Sequence, residues 1–199
     1  WSLEQVDLLA PGATHLTFKT AGLSAAAGAG VSGALDLDSA DPDALVAWLQ
    51  GRAETSYRSQ RPLRLRGNVS VGPDRIAIEG LKAEMDSGAV EGRVALMTPS
   101  SGAGSRFEAA LKGERLDLDA AAALARSVVG PSGQWPDEAN ISLDLGRATW
   151  SGQDLRPLTA KVSYGPKTIT VDQVKFGQSG AATEGSGRFD RTDATGRLT

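Results

Sequence analysis

Residues 65–96 read LRGNVSVGPDRIAIEGLKAEMDSGAVEGRVAL, and residues 158–189 read LTAKVSYGPKTITVDQVKFGQSGAATEGSGRF. The two stretches align without a gap at a constant offset of 93, with identities that include Leu65/Leu158, Val69/Val162, Gly72/Gly165, Pro73/Pro166, Ile76/Ile169, Lys82/Lys175 and Gly92/Gly185. A long repeat means that one supersecondary unit is stacked against its own copy. Alternation identifies the unit. Leu63, Leu65, Val69 and Val71 fall on one parity, with Arg64, Arg66, Asn68 and Ser70 on the other, as a half-buried strand requires. Ile76 and Ile78 oppose Arg75 and Glu79, then Leu81, Ala83 and Met85 oppose Lys82, Glu84 and Asp86, so parity changes around Gly80 and predicts a bulge there. Val90, Val94 and Leu96 form a third run. Gly72-Pro73-Asp74 and Asp86-Ser87-Gly88 supply turns between the runs. The unit is therefore a three-stranded antiparallel meander. The second copy repeats it with Leu158, Ala160, Val162 and Tyr164, then Ile169, Val171, Val174 and Phe176, but Gly187 and Thr183 stand where the first copy has Val94 and Val90.

Working outward, a Leu-Asp-Leu-Asp element occurs at 35–38 and again at 116–119, each time before a helix candidate. Asp41 suits an N-cap with Pro42 at the first helical position, and Asp119 is expected to cap the alanine run after it. The helices are expected at about 41–50 and 119–129, the first with an apolar stripe of Leu45, Trp48 and Leu49. Being short, they should act as plugs or lids on sheet. Strands are also expected over 1–38, at Phe107–Leu111 and at Ile141–Leu145. The fold class is mainly β, with repeated antiparallel meanders forming a curved sheet or groove. The chain divides into residues 1–97, a linker at 98–105 (Thr-Pro-Ser-Ser-Gly-Ala-Gly-Ser) and residues 106–199, all within one elongated array.

Composition narrows the functions. A net charge of -3 argues against a nucleic-acid or anionic-membrane surface, and the absence of cysteine removes disulfides, thiolate metal sites and cysteine nucleophiles. No apolar run reaches the roughly 18 to 20 residues that span a bilayer. The start at Trp1, without a leader, is read as the mark of a piece cut from a longer protein.

Local motifs carry little chemistry. Gly28-Ala29-Gly30-Val31-Ser32-Gly33 has the letters of a dinucleotide fingerprint, but it runs into alternating Ala34-Leu35-Asp36-Leu37 rather than into a helix. Asp36, Asp38, Asp41 and Asp43 lack the spacing of a calcium loop and read better as strand aspartates followed by a cap. The sequons at Asn68 and Asn140 lie inside strands. The single histidine, His15, has the exposed parity, and no spacing among the 24 acidic residues selects a catalytic pair. Trp48 reads as core, and Trp150 as strand packing or a sugar platform. No catalytic residue, cofactor or metal site is expected.

The succession Gly33-Ala34-Leu35-Asp36-Leu37-Asp38, Asp41-Pro42-Asp43-Ala44-Leu45, Pro62-Leu63-Arg64-Leu65, Arg75-Ile76-Ala77-Ile78-Glu79-Gly80 and Val90-Glu91-Gly92-Arg93-Val94-Ala95-Leu96 resembles the AsmA family of bacterial envelope proteins, with Leu116-Asp117-Leu118-Asp119-Ala120 and Glu184-Gly185-Ser186-Gly187 similar to its recurring units. The likeness runs from about Val6 to Phe189. It implies a periplasmic β-groove tethered to the inner membrane by an anchor outside this chain, and a part in outer-membrane biogenesis through phospholipid transport. It supplies no catalytic residues.

Both lines meet in one expectation. Some ten strands each have an apolar side, and two short helices cannot cover them all, so the sheet must close, sandwich or leave an apolar trough. Leu65, Val69, Val71, Ile76, Ile78, Val162, Ile169 and Val171 are the candidate walls of a lipid groove, phospholipid or another envelope lipid being the partner. The same side chains would equally suit a dry core. An envelope scaffolding or protein-interaction module is the second reading and a polysaccharide-active enzyme the third.

Overall fold

The computed structural model describes residues 4–23, 30–49, 51, 62–85, 88–99, 104–122, 136–178, 181–190 and 197–198. In chain order the elements are β1 (Gln5–Ala10), β2 (Thr14–Leu23), β3 (Val31–Ser39), α1 (Pro42–Leu49), β4 (Leu63–Val71), β5 (Arg75–Met85), β6 (Gly88–Met97) and β7 (Arg106–Asp117). A second helix, α2, is described over 118–122. Then come β8 (Glu138–Trp150), β9 (Gln153–Leu155), β10 (Leu158–Tyr164), β11 (Thr168–Gln178), β12 (Ala181–Asp190) and β13 (Arg197–Leu198). All the strands belong to one sheet, with neighbours in chain order from β1 to β8, then β10 to β13, and β9 beside β8. β1 and β13 end the path without pairing to each other, so the sheet is open.

The repeat is visible in the hydrogen-bonding register. β5 and β6 pair Ile78 with Val94 and then Leu81 with Gly92, the extra residue being on β5. β11 and β12 pair Val171 with Gly187 and then Val174 with Gly185, which is the same bulge moved by 93 residues at all four positions. The first meander has its bulge where parity predicts it, and Gly80 takes the left-handed φ of 60° there. The two copies share a single sheet because β6 pairs with β7 across the 98–105 segment, of which residues 100–103 lie outside those described.

One junction departs from the meander pattern. β7 and β8 are parallel. Parallel neighbours need a crossover of a dozen or more residues, and the stretch 118–137, which begins with α2, provides it. Both strands are also longer than alternation alone suggests, running to Asp117 and Trp150 rather than stopping at Leu111 and Leu145.

The first helix is capped as its sequence requires: Asp41 Oδ1 accepts from the Ala44 amide at 3.3 Å and Pro42 opens the helix. Its expected stripe is corrected. Leu45 is buried with Pro42 and Ala47, whereas Trp48 and Leu49, at the C-terminal end of the helix, are 51% and 46% exposed. The second cap is corrected as well. Asp117 Oδ1, not Asp119, accepts from the Ala120 amide (2.9 Å), while Asp119 Oδ2 accepts from the amide of Ser151 (2.6 Å). The second Leu-Asp-Leu-Asp element is thus split between strand and helix, unlike the first, which lies wholly in β3. Of the expected helix 119–129, residues 123–129 lie outside those described.

The copies provide a test of local backbone constraint. A Cβ at Gly92, whose φ is 154°, would sit 1.9 Å from the Ala110 carbonyl oxygen, whereas at the equivalent Gly185 the nearest atom is Val174 Cγ1 at 3.7 Å. Gly92→Ala is expected to destabilise by about 2 to 3 kcal/mol. Gly185→Ala should change stability by less than about 1 kcal/mol. Urea unfolding midpoints of the two variants check this.

Candidate functional site: the apolar side of the sheet

Cross-strand partners point to the same side of a sheet, so the registers can be followed from strand to strand as rows. Four rows on one side are almost wholly apolar. The outermost, beside the β4–β5 and β10–β11 turns, runs Val31, Val71, Ile76, Leu96, Phe107, Ala139, Tyr164, Ile169 and Phe189. The second runs Gly33, Val69, Ile78, Val94, Ala109, Ile141, Val162, Val171 and Gly187. In the third, Val6, Phe18, Leu35 and Gly67 lead to the bulge, and Leu81, Gly92, Leu111, Leu143, Ala160, Val174 and Gly185 follow it. The fourth carries Leu8, Leu16, Leu37, Leu65, Ala83, Val90, Gly113, Leu145, Leu158, Phe176 and Thr183.

These rows differ in cover. The core cluster joins Val90, Leu145, Leu158 and Ala160 to Leu116, Ala148 and Leu155, and Leu118 and Ala121 of α2 pack on it. Beyond the fourth row, Thr14, Ser39 and Leu63 are 2%, 0% and 2% exposed at the end of the sheet that carries α1. The two hydroxyls there satisfy each other at 2.7 Å, and Thr14 also donates to the Pro11 carbonyl. The turn end is different: Val71, Ile76 and Phe189 are 42%, 48% and 39% exposed. Away from β1, this side of the sheet therefore has a closed margin beside the helices and an open margin beside the turns, while Val6 and Leu8 on β1 are 37% and 43% exposed.

The opposite side is charged. Asp36, Arg66, Lys82, Glu91, Lys112, Asp144, Thr159, Lys175 and Glu184 succeed one another across nine strands. Arg66 Nε meets Asp36 at 2.9 Å, Lys112 Nζ meets Glu91 at 3.0 Å and Lys175 Nζ meets Glu184 at 2.8 Å. Hydrogen bonds from these lysines hold the carboxyls of Glu91 and Glu184 below the usual carboxylate range. Asp154 is lowered first by its hydrogen bond from Arg156 and then by Arg147. These are solvated pairs, whose work is to keep this side in water and the register fixed.

All eight residues singled out from the sequence lie on the apolar side. Val71, Ile76 and Ile169 are in the first row, Val69, Ile78, Val162 and Val171 in the second, and Leu65 in the fourth. None is fully buried. The sequence reading omits Phe107 and Ile141, which join the two copies into one surface. They lie outside the repeat, and their place depends on the parallel pairing of β7 with β8. Leu96, Tyr164 and Phe189 complete the open row, and their parity was the available signal.

The other sequence motifs have structural accounts. Val31 to Gly33 of the fingerprint-like stretch are in β3, and a Cβ on Gly33 would strike the Lys19 carbonyl oxygen at 2.3 Å. Asp36 and Asp38 pair with Arg66 and Arg64. Both sequon asparagines lie in strands, β4 and β8, and His15 is exposed beside Asp7. Trp150 is 60% exposed at the end of β8, which corrects strand packing as its role, and Trp48 is not core. Among the described residues, no helix is long and apolar enough to cross a membrane and no group of three His, Asp or Glu is placed to hold a metal. No family model matches the chain, and neither a curated protein nor a solved structure does so.

Core and open row are separable by mutation. Leu145→Ala, at a site 1% exposed, should cost about 2 to 5 kcal/mol. Ile76→Ala, at a site 48% exposed, should cost less than about 1 kcal/mol. Chemical denaturation of the two variants reads the difference.

Proposed function

We propose that this chain is a non-enzymatic segment of an AsmA-like envelope protein that accommodates phospholipid along the apolar side of its sheet. The observation that carries the reading is the run of two adjacent apolar rows across nine strands that stays partly open to solvent. At about 4.8 Å per strand this run is about 40 Å long. Each methylene group that leaves water on it gains about 0.8 kcal/mol. The middle of a hydrogen-bonded sheet offers almost no donors or acceptors, so its occupant must have no polar groups left to satisfy. A hydrocarbon chain meets that condition and an extended peptide does not.

In this reading the protein resides in the periplasm, is tethered to the inner membrane by a segment outside this chain, and supports outer-membrane biogenesis. An envelope scaffolding module is the alternative. A self-satisfied amphipathic helix of a partner protein would also suit apolar rows, and the exposure of Trp48, Leu49 and Trp150 favours a protein contact near the helices.

A photo-crosslinking residue at Ile78 is expected to capture phospholipid in cells, with capture much reduced by Ile76→Asp and Ile169→Asp together. Adducts that contain only protein would favour the scaffold reading.

A further inference from the structure

We infer that the outer edge of β12 is a docking site for an extended strand of a partner protein, which joins the sheet antiparallel to β12. The strand carries an acidic residue, apolar residues one and three positions later, and a lysine or arginine at the fourth. The site does not depend on lipid binding. It follows from a difference between the two repeat copies. In the first copy the last strand, β6, is paired with β7 from Val90 to Met97. In the second copy the equivalent strand, β12, has a neighbour on that edge only at Phe189 and Asp190, beside β13, among the described residues. From Thr183 to Arg188 the edge offers backbone donors and acceptors for a further strand.

The first copy specifies what such an edge takes. The Ala110 carbonyl oxygen lies so close to Gly92 that a Cβ there would be 1.9 Å from it, whereas at the equivalent Gly185 the nearest atom is Val174 Cγ1 at 3.7 Å. The second copy thus has the clearance for an approaching backbone without the backbone. Glu91 meets Lys112 of β7 at 3.0 Å, while the equivalent Glu184 turns back to Lys175 of β11 at 2.8 Å. A cavity of about 900 Å³ lies there, lined by Thr183 and Glu184 with Arg156 and Phe176. Carried over by 93 residues, the β6–β7 register sets the positions of Glu108, Ala109, Leu111 and Lys112 opposite Arg188, Gly187, Gly185 and Glu184. An acid then meets Arg188 and a lysine meets Glu184 on the charged side, and apolar side chains lie over glycines on the other. A second copy of this chain fits less well. β12 paired with itself about Ser186 would also set Glu184 against Arg188, but it would put Gly185 opposite Gly187 and pack no side chain at its centre. Main-chain hydrogen bonds give a contact of this kind its affinity, and the alternating side chains give it specificity.

The test uses the full chain and, as probe, a fluorescent peptide with the sequence of residues 104–116, read by anisotropy. Saturable binding is expected. Lys112→Glu in the peptide should weaken it roughly tenfold by setting like charges opposite each other, and Glu184→Lys in the protein should restore it. The chain has no cysteine, so the edge can be located by disulfide trapping. A peptide with Ala109→Cys should couple to the protein with Gly187→Cys and not to the protein with Val6→Cys on β1. Absence of binding, binding indifferent to both charge reversals, or equal coupling at Val6→Cys overturns the site. Coupling of the Gly187→Cys protein to itself in preference to the peptide overturns the partner, because β12 of a second copy would then be the occupant.

Discussion

The architecture depends on one constraint: successive side chains of a strand point to opposite sides, and a hydrogen-bonded sheet carries that division unchanged from strand to strand. Here the division holds across bulges, across the junction of the two repeat copies and across the parallel pair of β7 and β8. Each bulge keeps Ile78 and Leu81, or Val171 and Val174, on the apolar side although three positions separate them. Without the extra residue, half of β5 would turn Leu81 and Ala83 into water and bring Lys82 and Glu84 onto the apolar side. The charged side then fixes which register is used, since Asp36 meets Arg66 and Glu91 meets Lys112 only in the pairing observed.

A sheet made in this way has more apolar area than two short helices can shield. The helices sit at one end, and away from β1 burial follows them. Leu145, Leu158 and Leu63 form the closed margin, where packing supplies stability, while Val71 and Ile76 remain half in water. That separation turns a general statement about amphipathic strands into a specific surface.

Much of this was legible in the sequence. The 93-residue offset gave both meanders, their turns and the bulge near Gly80, because repeated alternation is a strong local signal. The eight candidate wall residues share one side of the sheet for the same reason. What alternation could not convey was long-range: the parallel pairing of β7 with β8 joins Phe107 and Ile141 to the surface, and its signal is the long helix-bearing connection between the two strands rather than the alternation within them. By analogy with the first Leu-Asp-Leu-Asp the second points to Asp119 as the cap, yet β7 ends at Asp117 and the cap falls there, two residues earlier. Trp48 reads as core from the sequence because a helical stripe tells which side is apolar and not how much of it a partner covers.

The most direct measurement of the central claim is hydroxyl-radical footprinting of the protein with and without bound phospholipid. The account predicts that Val71, Ile76 and Phe189 are oxidised in the lipid-free protein and protected when lipid is present, while Leu63 and Leu145 are protected in both states. Equal protection of all five in the lipid-free protein would contradict it, because the apolar rows would then be a filled core with no margin open to a ligand.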